Sequence, residues 1–127
     1  MITALISGML LLAGTQWQFV EKIFVADAGT MTITHTLSFT SDKEVTLTVE
    51  NHMPSYPAMY VNPDGTIDRI PGSHSVTEKK GTWSLRRKVL TITFEDGSEE
   101  VYDYTDGKIV SLRRTLSGET IEFTRLQ

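Results

Sequence analysis

The chain has 127 residues, 39% of them hydrophobic and 22% charged, with a formal net charge of −4 and no cysteine. One domain of this length hides roughly two-thirds of its unfolded surface, so it can form a core without staples and is not a disordered chain. The acidic balance argues against nucleic acid as the main partner, and the lack of cysteine excludes disulfide frameworks, Cys-ligated zinc, iron–sulfur clusters and thiol catalysis.

No run of about 18 apolar residues occurs, so no helix is expected to span a bilayer. Met1 to Ala13 reads MITALISGMLLLA. It is apolar and ends in small residues, like the hydrophobic part of a secretory signal, but it lacks the leading Lys or Arg and a lipobox cysteine. We read residues 1–13 as a plug across one end of the fold, with a retained signal fragment as the alternative. Residues 14–127 are read as one domain.

From Thr15 onward the hydrophobic period is two. In Thr30 to Phe39 (TMTITHTLSF), Met31, Ile33, His35, Leu37 and Phe39 share one face, and Thr30, Thr32, Thr34, Thr36 and Ser38 the other. After a turn at Ser41-Asp42-Lys43, Val45, Leu47 and Val49 alternate with Thr46, Thr48 and Glu50. Asn51 to Ser75 holds all four prolines, and proline removes a ladder donor, so only short edge pieces are expected there, around Met59 to Val61 and Thr66-Ile67.

The carboxyl half alternates more regularly. Gly81 to Leu85 and Val89 to Phe94 flank the basic corner Arg86-Arg87-Lys88. Asp96-Gly97, Asp106-Gly107 and Ser117-Gly118 then separate Glu99–Thr105, Lys108–Thr115 and Glu119–Leu126. Such short connections force antiparallel neighbours and a meander. Eight to ten strands of this kind split or close. With hairpins throughout, the expected fold is all-β, an antiparallel up-and-down β-barrel of about eight strands, whose interior holds side chains or one small ligand.

Gly14-Thr15-Gln16-Trp17 at the first strand and Phe123-Thr124-Arg125-Leu126 at the last resemble the calycin and lipocalin arrangement. That resemblance implies that Trp17 closes the barrel floor with Arg125 over its indole, a cation–π pair. Here one residue more separates the glycine from the tryptophan. The pattern over about residues 12–127 is more similar to short lipocalin-like proteins exported by Bacteroides-type gut bacteria. It rests on Leu12 to Trp17, Gly81-Thr82-Trp83, Leu90 to Gly97 and the terminal F-x-R-L. The resemblance implies an extracytoplasmic eight-stranded barrel, periplasmic, surface-bound or secreted, and supplies no catalytic residue.

Among candidate sites, His35 stands out because its face is otherwise apolar. It is either a satisfied interior histidine or a ligand contact. His52 and His74 lie near the proline-rich segment, with no HxH or HExxH spacing to support a metal. Asn51 to Tyr60 mixes Met, Tyr and Pro, which suits either a simple lid or the mouth of a binding cup. Glu95, Asp96, Glu99 and Glu100 read as solvated turn charges, and Arg86 to Lys88 and Arg113-Arg114 as edge charges that would attract an anion if gathered on one rim. Tyr102 and Tyr104 share a face opposite Val101 and Asp103, and alternation leaves open which face is interior.

No G-x-S-x-G elbow and no phosphate loop occurs. The leading expectation is therefore a non-enzymatic module without cofactor or metal. It would bind a small apolar or amphipathic molecule through His35, Phe39, Met53, Tyr56, Met59, Tyr60 and Trp83. The rival is a packed barrel acting through a protein partner or as a homodimer. A third reading, an enzyme working inside the cup, requires His35 beside a carboxylate.

Overall fold

The computed structural model describes residues 12–105, 107–115 and 118–126. Its strands are β1 (Gln16–Val25), β2 (Gly29–Phe39), β3 (Glu44–Met53), β4 (Tyr56–Pro57), β5 (Arg69–Ile70), β6 (Ser73–Arg86), β7 (Val89–Phe94), β8 (Glu99–Thr105), β9 (Lys108–Arg114) and β10 (Thr120–Arg125). Eight of them close into a barrel in the order β1-β10-β9-β8-β7-β6-β3-β2, while β4 and β5 pair only with each other. The up-and-down topology follows largely from the connections, because turns of a few residues leave a strand no other neighbour; β3 and β6, also neighbours, are joined by the longer segment that carries β4 and β5.

The period of two decides what is buried. On β2, Leu37 and Phe39 are fully inside, and their alternating neighbours carry hydroxyls toward solvent. Val45 on β3, Leu90, Ile92 and Phe94 on β7, Ile109 on β9 and Phe123 on β10 complete the inward face. On β8 the interior takes Tyr102, and Tyr104 packs against the same core.

The two ends of the barrel differ. At the end where β1 begins, Leu12, Trp17, Phe39, Val45 and Leu90 form a dry floor. Trp17 meets Tyr104 edge-on at 5.9 Å, and Phe39 meets Trp83 edge-on at 5.3 Å. The Trp17 indole N–H donates to the Thr15 hydroxyl (2.8 Å), which in turn donates to the Leu12 carbonyl. A buried indole N–H needs such a partner, and the relay supplies it without water.

The terminal strands meet as the alternation required: β1 pairs with β10, and Trp17 sits directly opposite Arg125. That contact is narrow, confined in register to Trp17 and Gln18, while β1 pairs with β2 along its whole length. The opposite seam is on β6, which pairs with β3 from Ser73 to Thr82 and with β7 from Gly81 to Arg86. Strands β1, β2, β3 and β6 have 10 to 14 residues and β7 to β10 have 6 or 7. The barrel thus has one tall wall and one low wall.

Two expectations are corrected. The edge pieces in the proline-rich segment form at Tyr56–Pro57 and Arg69–Ile70, outside the expected Met59 to Val61 and Thr66-Ile67. The turn between them closes further in, through Asn62 N–H to the Thr66 carbonyl (2.8 Å). The ladder pulls β6 back to Ser73, because each residue from Ser73 to Thr82 finds a partner on β3. Of the amino-terminal plug, residues 1–11 lie outside the described residues. Leu12 is fully buried in the floor.

Candidate functional site

The low wall leaves the other end of the barrel open. A cavity of about 300 Å³ lies there, above the dry floor. Leu47 and Val49 of β3, Phe94 of β7, Ile121 and Phe123 of β10 give it apolar sides. Tyr102 and Ser111 add hydroxyls, and His35 enters from β2, directly opposite Val49 in register.

Charge is confined to the rim. Lys79 reaches Asp96 (3.1 Å) across the gap between β6 and β7, and its ammonium lies 4.6 Å from the Phe94 ring centre. The Ser98 hydroxyl, its backbone N–H and Lys79 hold the Asp96 carboxyl down to about 2. Glu100 faces Arg113 at 3.4 Å. Each of these pairs is internally neutral, and Arg114, which also lines the mouth, donates to the Gly118 carbonyl (3.2 Å); the cup below them is an apolar site with few polar groups, the usual character of a small-molecule pocket.

His35 is the unusual member. Its ring leans on Phe19 with centres 5.5 Å apart. Its Nε2 stands 3.9 Å from the Glu21 carboxylate, too far for a hydrogen bond, and is a buried nitrogen without a partner. Burial lowers its pKa below the ordinary value, and Glu21 opposes that shift. Burial, with a contribution from the Glu100 charge, pushes the Tyr102 phenol far up, so it serves only as a neutral hydroxyl.

The seven residues named from the sequence are dispersed. His35 lines the cup. Phe39 and Trp83 are buried together in the floor, and Trp83 also borders a second groove at that end. Met53 lies half-buried at the mouth end of β3, and Tyr56 half-buried on β4. Met59 (82% exposed) and Tyr60 (56% exposed) stand on the β4–β5 connection, where Tyr60 Oη donates to Asp68.

The cup residues that sequence reasoning missed are Leu47, Val49, Phe94, Ser111, Ile121 and Phe123, with Lys79, Glu100 and Arg113 above them. Parity would have found Leu47 and Val49, which share the face of Val45. The three histidines do not converge. His52 and His74 pair across β3 and β6 with ring centres 6.2 Å apart, on the face opposite to that of His35, and His74 is held by Glu50. Among the described residues no three His, Asp or Glu side chains are placed to hold a metal ion.

Compared with protein-family models, with curated proteins and with solved structures, the chain matches none. The closed eight-stranded antiparallel barrel is compatible with a lipocalin-like fold, and topology is what supports that statement.

Proposed function

We propose that this protein is a non-enzymatic, lipocalin-like binding protein working outside the cytoplasm. It holds one small apolar or amphipathic molecule in the cup above the Trp17 floor. The observation that carries the reading is the cavity of about 300 Å³ between Leu47, Val49, Phe94 and Phe123. Burying a ligand's apolar surface there is worth roughly 25 cal/mol per Å² before ordering costs. His35 lines the cup with its Nε2 buried, and the carboxylate beside it, Glu21, stands 3.9 Å away, beyond the hydrogen-bond reach that proton transfer needs. That arrangement supports a positioning role for His35 over a catalytic one. The exported setting rests on the resemblance of residues 12–127 alone.

The uncharged probe N-phenyl-naphthylamine tests the reading. Its emission is expected to rise saturably with the protein, and Ser111→Phe, which puts a ring into the cup, is expected to abolish the rise while far-ultraviolet circular dichroism is unchanged. Equal binding by the variant overturns the assignment. One observation favours the rival reading: Met59, Val61 and Ile67 are 82%, 64% and 54% exposed on the β4–β5 connection. A homodimer held by this surface would become monomeric in Met59→Ser/Val61→Ser, read by sedimentation velocity.

A further inference from the structure

The floor end carries a second concavity, independent of the cup. The turn after β2 and the β6–β7 hairpin enclose a groove of about 590 Å³. Its base is apolar, made by Trp83, Leu85 and Val89. Its rim carries Lys43, Arg86 and Arg87 against a single acid, Asp42. The balance of three cations and one carboxylate is +2, in a chain whose total is −4.

These cations differ from three that are paired elsewhere on the barrel. Lys79, Lys108 and Arg113 each have a carboxylate partner. The side chains of Lys43, Arg86 and Arg87 form no ion pair or hydrogen bond among the described residues. The hairpin that presents Arg86 and Arg87 is also held in an unfavourable shape. Arg87 and Lys88 both have positive φ, 52° and 67°. A two-residue turn of this kind favours Asn-Gly, because a Cβ is crowded there. Backbone kept in a sparsely populated region by long basic residues is the sort of outlier that accompanies a binding role.

We propose that this groove binds a small anionic amphiphile. Its ring or short chain rests on Trp83, Leu85 and Val89, and its carboxylate, sulfate or sulfonate is held by Arg86, Arg87 and Lys43. Guanidinium groups suit this task because their paired N–H donors match two anionic oxygens at once. An extended polyanion would call for a basic stripe along the surface, whereas here the cations ring one concavity.

The test uses the full chain and the anionic probe anilinonaphthalene sulfonate, with N-phenyl-naphthylamine as the uncharged control. Arg86→Gln/Arg87→Gly is expected to raise the dissociation constant of the anionic probe about tenfold, on the scale of losing a charge-assisted contact. The uncharged probe is expected to bind this variant as it binds the parent chain. Gly suits the positive φ at position 87, and Lys43→Gln, on a separate segment, is expected to weaken the anionic probe in the same direction. Ser111→Phe is expected to leave the anionic probe bound. If both charge variants bind the anionic probe like the parent chain, or if Ser111→Phe abolishes it, the proposal is overturned. Displacement of the probe by heparin but not by dodecyl sulfate would also overturn it, in favour of a polyanion surface.

Discussion

His35 shows how much one position can carry. Its register neighbours across β1 and β3 are Phe19 and Val49, so the face prescribes an apolar side chain, and imidazole is accepted there at the cost of a partnerless Nε2. Glu21 is the titratable group that faces it, and burial outweighs that carboxylate in lowering the pKa below 6.5. The folded chain therefore refuses a proton that the unfolded chain accepts. Stability from this group is complete above the unfolded value and is lost as pH falls through it, saturating below the folded value. Urea midpoints measured between about pH 7 and pH 5 should fall more steeply for the parent chain than for His35→Gln. Parallel slopes would show that His35 does not titrate in this window.

At the scale of elements, two local geometries stand out, one built for closure and one held against preference. Gly81 is the residue at which β6 changes partners, opposite Val45 on one side and Phe94 on the other. A Cβ there would lie 2.5 Å from the Thr93 carbonyl oxygen, which is backbone and cannot rotate away. Gly81→Ala should therefore destabilise the chain by about 1–3 kcal/mol, read as a lower urea midpoint. The β6–β7 turn runs the other way. Replacing Arg87-Lys88 by Asn-Gly relieves two positive φ angles and should stabilise by about 1 kcal/mol, a rise of a few degrees in Tm. An unchanged Tm would mean that the hairpin is held so firmly by β3 and β8 that its turn residues are irrelevant.

Across the whole molecule, closure and opening share one cause. Long strands meet short ones at two seams, and the difference in height leaves the cup exposed on the side of β7 to β10. The floor is dry and fully buried, whereas the mouth end of β1 carries Phe24 at 77% exposure and Val25 at 36%. Cooperative protection follows buried apolar contact. Native-state hydrogen exchange should find the amides of Leu37, Leu90 and Ile109 opening only with global unfolding. Those of Phe24 and Thr30 should exchange through local opening. Uniform protection from floor to mouth would contradict this division.

Strand positions, their parity and most turns were legible along the chain. Side-chain alternation on β2 and β3 is a covalent consequence of the extended backbone, and Gly97 and Gly107 adopt the positive φ that their turn signals imply. From parity alone His35 could be placed with Leu37 and Phe39. Three features were decided only by the folded neighbours. The inward face of β8 is that of Tyr102 because β7 and β9 set Leu90 and Ser111 beside it, and both of its faces carry apolar residues in the sequence. The start of β6 was hidden because Ser73 to Lys80 is polar but for Val76 and gains its strand form from the β3 ladder. The cup and the basic groove depend on where eight strands end relative to one another, a property of the closed ring that no single segment encodes.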